Sequence, residues 1–194
     1  MDTFNLYFQL GMEHILDVRG YDHILFVVAL TTIYQLKDWR RVLILVTAFT
    51  IGHSITLALA TLQIIKFNSD LIEFLIPVTI FITAIANLLR KRAEQSTKKI
   101  QLNYGLALFF GLIHGMGFSN YLRSLLGSDT TIFTQLLAFN AGLEIGQIII
   151  VVSFMMLSLL FVNIIGVSKR DWKLVISSGV AAIATTLMIE TKFW

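Results

Sequence analysis

The 194-residue chain carries four histidines and no cysteine. All four imidazoles, His14, His23, His53 and His114, lie in or beside apolar stretches, as do Asp22, Glu73 and Glu144. An ionised side chain held near the centre of a bilayer costs about 3 kcal/mol or more unless it is protonated, paired or bound to a metal. A lone intramembrane histidine is most often a hydrogen-bonder between helices. Four of them with Asp22 and two glutamates exceed what gluing helices together requires. Imidazole and carboxylate donors without thiolate suit Ni²⁺, Co²⁺ or Zn²⁺ rather than Cu⁺. The candidate metal ligands are therefore His14, Asp22, His23, His53, His114, Glu144 and Glu73.

Further residues could support such a site. In Phe139-Asn140-Ala141-Gly142-Leu143-Glu144-Ile145-Gly146-Gln147, Asn140, Glu144 and Gln147 share one helical face. Ala138, Gly142 and Gly146 fall on roughly the opposite face and form a strip of small residues where another helix can approach. Ser54, beside His53, is a further polar accessory. Pro77, the chain's one proline, lies inside an apolar helix and cannot donate to the carbonyl of Glu73. The expectation is a kink that frees this oxygen beside a buried carboxylate. Gly52, Gly115 and Gly117 flank the histidines and let helices close in.

The elements that position these residues follow from composition. Hydrophobic residues make up 56% of the chain and charged ones 14%, against roughly 25% charged in soluble domains. The fold class is all-α: a polytopic membrane protein of six transmembrane helices plus an N-terminal interfacial or re-entrant helix. Residues 1–194 form one transmembrane domain, with the N-terminal segment over 1–20 and the six-helix bundle over 21–190. The spans are read at about 21–36, 41–63, 69–90, 100–122, 132–162 and 172–190.

Eleven of the fifteen basic residues fall in three connections: Lys37, Arg40 and Arg41; Arg90, Lys91, Arg92, Lys98 and Lys99; Lys169, Arg170 and Lys173. Arg19, Lys66, Arg123 and Lys192 lie on the other side. The positive-inside rule makes the three connections cytoplasmic and both termini extracytoplasmic. The net charge of +3 thus reads as membrane topology, not nucleic-acid binding. Met1 is followed by Asp2 with no basic stretch ahead of an apolar core, so no cleavable signal peptide is expected.

Five blocks carry a family resemblance: Gly11-Met12-Glu13-His14-Ile15-Leu16, Tyr21-Asp22-His23-Ile24-Leu25-Phe26, Phe49-Thr50-Ile51-Gly52-His53-Ser54-Ile55-Thr56-Leu57, Phe109-Phe110-Gly111-Leu112-Ile113-His114-Gly115-Met116-Gly117-Phe118, and the Phe139–Gln147 stretch. In this ordered set the chain resembles the HupE/UreJ family, small bacterial membrane proteins associated with hydrogenase and urease loci and regarded as nickel or cobalt permeases. The resemblance implies a role in metal uptake for His14, Asp22 and His23, and extends to His53 and His114 through the later blocks.

The expected function is transport of a divalent transition-metal cation, Ni²⁺ or Co²⁺ first and Zn²⁺ within the same donor chemistry. The ion would enter a histidine and carboxylate site from the extracytoplasmic side of a bacterial inner membrane. No nucleotide-binding motif is present, so uptake is facilitated or driven by the membrane potential. The alternative is a zinc-dependent intramembrane hydrolase using the same cluster, with Glu144 or Asp22 as general base. Against it, no His-Glu-x-x-His helix occurs, and the ligands are dispersed singly over separate helices. A non-transporting scaffold would have no use for buried ionisable groups. The expected partners are the bilayer and the metal ion, with no nucleic acid. Homo-oligomers and metalloenzyme-maturation proteins are compatible with the sequence.

Overall fold

Apolar runs of this length in lipid must satisfy their own backbone polar groups, and helices do so within one segment. A computed structural model describes residues 2–90, 97–126 and 132–194, without the side chains of 97–100 and 126. Lys91 and Arg92, two of the basic residues used for topology, lie outside the described residues.

Eight α-helices are described: α1 (Thr3–Leu16), α2 (Asp22–Thr31), α3 (Trp39–Thr61), α4 (Ser69–Leu89), α5 (Thr97–Gly117), α6 (Ser119–Leu126), α7 (Ile132–Leu159) and α8 (Lys169–Glu190). Local chemistry sets several boundaries. Asn68 caps α4, its side-chain oxygen accepting from the backbone N–H of Asp70 and Leu71 at 2.9 and 3.3 Å. Ser168 caps α8 by accepting from Asp171 N–H at 3.1 Å.

Two boundaries correct the sequence reading. The first span, read over 21–36, is helical only over the ten residues Asp22–Thr31. At 1.5 Å per residue it is roughly 15 Å long, about half the bilayer core. Thr31 and Thr32 end it: their hydroxyls donate back to Val27 and Val28 carbonyls at 2.8 and 2.6 Å, competing with the helix ladder. The fourth span, read over 100–122, breaks at Phe118 into α5 and α6. Gly115 and Gly117 weaken the last turn of α5, and Ser119 Oγ donates to the Met116 carbonyl at 2.8 Å.

Among the described residues, four stretches are long and apolar enough to cross a membrane: Leu36–Thr61, Ser69–Leu89, Ile132–Ile164 and Lys169–Glu190. The first takes in a short 3₁₀ turn before α3, and the third a single π-helical turn after α7. The full count of six is not reached on this measure. The shortfall is α2, by length, and α5, whose first turns carry Lys98, Lys99, Gln101 and Asn103.

Close backbone approach organises the bundle. Gly52 of α3 sits against the backbone of Leu108 and Leu112, Gly111 of α5 against Phe49 and His53, and Gly115 against His53 and Thr56. The contacting positions rise together, so α3 and α5 run side by side in the same direction. A second pair is α1 with α7: Gly11 lies on the Phe139 carbonyl, Gly142 on that of Phe8, and Gly146 against Ile15. The strip of small residues read on α7 thus receives α1, which buries Tyr7, Gly11 and Ile15.

The apolar core has two parts. One gathers Ile15, Leu45, Val46, Phe139 and Leu143. The other gathers Phe49, Ile72, Ile76, Ile80, Val180 and Ala184. Helix α2 contributes Val27 to the first and Phe26 and Ala29 to the second. Asn87 fixes α2 to α4 by donating to the Ala29 carbonyl at 2.7 Å.

Candidate metal centre

Four helices each present one imidazole. His14 lies in the last turn of α1, His23 in the first turn of α2, His53 within α3 and His114 in the last turn of α5. The two glycine-mediated helix pairs bring three of these close, and α2 inserts the fourth. Ring centroids are 4.6 Å apart for His14 and His23, 5.2 Å for His23 and His114, and 6.0 Å for His14 and His53.

Among the described residues, two groups have ligand atoms that all lie within 4.8 Å of one another: His14, His23 and His53; and Asp22, His23 and His114. His23 belongs to both, so the groups adjoin and share a residue. His53 and His114 are 0% exposed and His23 is 4% exposed. Buried nitrogens normally find a partner. Here Nε2 of His14, Nε2 of His23, both nitrogens of His53 and Nδ1 of His114 have none.

Hydrogen bonds on the other edges of two rings fix which nitrogen is offered. Asp22 Oδ1 lies 3.2 Å from His23 Nδ1. The carboxylate can only accept, so Nδ1 carries the proton and Nε2 presents its lone pair. Thr79 Oγ1 donates to the Ile76 carbonyl at 2.7 Å and lies 3.0 Å from His114 Nε2. Having spent its proton, the hydroxyl accepts from His114 Nε2–H, which leaves the lone pair on Nδ1. In both rings the nitrogen with the lone pair is the one without a partner. This is the arrangement by which outer hydrogen bonds orient imidazole ligands of a metal.

Aromatic rings line the buried part of the cluster, while Asp22 and His14 stay partly exposed. Phe118 and Phe139 lie 3.9 and 5.7 Å from His14, while Phe26 and Phe49 lie 5.0 and 5.2 Å from His114. Phe139 is also 6.4 Å from His53.

Glu144 and Glu73 belong to neither group. On α7 the position facing the imidazoles is taken by Phe139, and Glu144 lies five residues further on, roughly 7.5 Å along the axis. Its carboxylate accepts from Thr47 Oγ1 at 2.7 Å. Glu73 is exposed, because Ile72 and Ile76 occupy the inward stripe of α4. The carboxylate beside the carbonyl freed by Pro77 is therefore not a buried one. Pro77 itself is buried within α4.

The supporting polar residues serve separate contacts. Gln147 accepts from Thr50 Oγ1 at 2.8 Å, Asn140 donates to the Leu136 carbonyl of its own helix at 2.8 Å, and Ser54 donates to that of Thr50 at 2.6 Å.

Sequence reasoning missed Thr79, Thr47 and the aromatic wall. Thr79 carried a weak signal: it is the hydroxyl in the buried stripe Ile72, Ile76, Thr79, Ile80, Ala84 of α4. Thr79→Val, nearly isosteric, is expected to keep the fold and lower metal affinity about 10- to 100-fold, with Thr79→Ser restoring most of it. Calorimetric titration of the purified variants checks this, and unchanged affinity in Thr79→Val would remove the assigned role.

Comparison with curated proteins and with solved structures found no match. A family model described as HupE / UreJ protein matches residues 1–192. The match takes in both glycine-mediated helix pairs and every member of the two ligand groups. The chain belongs to the HupE / UreJ protein family.

Proposed function

We propose that the protein carries a divalent transition-metal cation, Ni²⁺ or Co²⁺, across the bacterial inner membrane, with Zn²⁺ compatible with the same donors. The observation that carries this reading is the set of five buried imidazole nitrogens without a partner, drawn from four helices to one place. Each unpartnered buried polar atom costs about 1–3 kcal/mol, and a cation bound among them would relieve that cost for several at once. The family's association with nickel and cobalt transport points the same way.

The ion enters from the extracytoplasmic side, where the charge bias puts both termini, and binds between His14, Asp22, His23, His53 and His114. Beyond His53 along α3, toward the basic connections, Thr50 with Gln147 and then Thr47 with Glu144 offer oxygen atoms. Moving from imidazole nitrogen to hydroxyl, amide and carboxylate oxygen loosens the hold on a nitrogen-preferring ion. The membrane potential supplies roughly 4.6 kcal/mol per 100 mV for a divalent ion moving inward.

The hydrolase reading fares less well. It needs a carboxylate base beside the metal; Glu144 belongs to neither ligand group, and Asp22, the carboxylate that does, is a candidate ligand paired with His23.

Purified protein without a histidine tag, reconstituted in vesicles holding a metal-sensitive dye, is expected to admit Ni²⁺ or Co²⁺ well above empty vesicles. An inside-negative potential should accelerate entry. Vesicles with folded protein that admit no more metal than empty ones would sink the proposal.

A further inference from the structure

A second site lies at the far end of the bundle from the histidines. Between the C-terminal ends of α4 and α7, the segment joining α2 to α3, and the N-terminus of α8 is a cavity of about 850 Å³. Among the described residues, six basic side chains line it, Lys37, Arg41, Arg90, Lys169, Arg170 and Lys173, against a single carboxylate, Asp38. Asp38 is already engaged by Arg41 at 3.2 Å. The balance strongly favours an anion.

Two further observations point to a ligand. Residues 169, 170, 172 and 173, the first turn of the 22-residue helix α8, all line the cavity, and a helix N-terminus adds partial positive charge and backbone donors. Trp172 also lines it. This indole is 8% exposed and stacked between Phe154 and Phe161 at 5.9 and 5.2 Å, yet its Nε1–H has no partner. A buried N–H donor on a residue of this basic cavity's wall calls for an acceptor such as a phosphate or ester oxygen.

The rest of the wall is hydrocarbon. Met155, Leu159, Val162 and Leu89 also line the cavity, and Leu89 is 77% exposed, so part of the apolar wall lies open at the surface of the bundle. A soluble anion would gain nothing from that wall. Phosphate joined to acyl chains matches both halves, and basic pockets between membrane helices are suited to anionic headgroups. We propose that this cavity binds the headgroup of an anionic phospholipid, with the phosphate at Lys169, Arg170 and the Trp172 Nε1–H. The site is separate from the imidazole cluster and does not depend on what that cluster carries.

The test is native mass spectrometry of the detergent-purified full chain, titrated with phosphatidylglycerol or phosphatidylcholine. One phosphatidylglycerol per chain is expected to survive activation that strips phosphatidylcholine, and millimolar glycerol 3-phosphate should not displace it. The double variant Lys169→Gln/Arg170→Gln should weaken retention about tenfold or more. Trp172→Phe keeps the ring stack, removes the N–H, and should weaken it several-fold. Thermal unfolding and Ni²⁺ titration of each variant serve as folding checks; should the double variant not fold, Trp172→Phe decides alone. Equal retention of the two lipids, or retention unmoved by the substitutions, would overturn the proposal. So would displacement by glycerol 3-phosphate at concentrations matching the lipid, which would identify a soluble phosphate ligand instead.

Discussion

His23→Ala is expected to abolish metal uptake and to lower the metal affinity of the purified protein by at least about a hundredfold. His23 is the residue common to both ligand groups, so its loss removes a donor from each. It also strips Asp22 of the ring whose Nδ1 it holds at 3.2 Å, leaving a carboxylate without its partner. His14→Ala and His53→Ala each take a ligand from one group only and should have smaller effects on binding. Whole-cell uptake of radioactive nickel, normalised to protein level, together with titration of the purified variants, gives the ranking. Undiminished uptake in His23→Ala at wild-type protein level would remove the imidazole cluster from the transport route.

The second large effect concerns the helix interface behind the cluster. Gly52→Ala and Gly111→Ala are each expected to destabilise the protein by about 3 kcal/mol or more. A Cβ on Gly52 would run into the Leu108 carbonyl oxygen and approach Leu112 N at 3.0 Å, and one on Gly111 would strike the Phe49 carbonyl oxygen. Both obstacles are backbone, so no rotamer change can relieve them and α3 must move away from α5. Gly105→Ala and Gly179→Ala are the controls, because a Cβ there meets nothing within 4 Å. They should be neutral or stabilising by up to about 1 kcal/mol, the helix preference of alanine over glycine. Thermal unfolding in detergent separates the pairs; wild-type stability in Gly52→Ala and Gly111→Ala would mean that α3 and α5 are not packed this closely. Because His53 follows Gly52 and His114 precedes Gly115, any separation of these helices also pulls two imidazoles apart.

What the sequence revealed, and what it hid, divides along physical lines. Residue type is legible without coordinates. An imidazole in an apolar run is expensive wherever it points, so His23, His53 and His114 announce themselves. The strip Ala138, Gly142, Gly146 is legible too, since small residues four apart lie on one face whatever approaches them. The identity of the neighbour is not. Glu144 was placed on the correct helix, but nothing in its own surroundings says that Phe139, five residues earlier, takes the position beside the imidazoles. Thr79 is chemically an ordinary hydroxyl in an apolar helix. Its importance comes from having given its proton to Ile76 while facing His114, a relation between two segments thirty-five positions apart. Helix ends were misjudged for a similar reason. Hydropathy runs smoothly through Thr31 and Thr32 and through Gly117 and Phe118, whereas the backbone responds to hydroxyls that compete for its carbonyls and to glycines that weaken a turn.

The ring of Phe26, Phe49, Phe118 and Phe139 has a consequence for selectivity. Past the partly exposed Asp22 and His14, a hydrated ion goes deeper into the cluster only by shedding its water, since benzene faces are poor partners for a hydration shell. Magnesium gives up its waters reluctantly and asks for six oxygens in return; the imidazoles offer it nitrogen, and Asp22 is the only carboxylate in either group. The abundant cellular dications would thus be turned back by the energy of dehydration, and only an ion with real affinity for nitrogen would recover what it leaves behind.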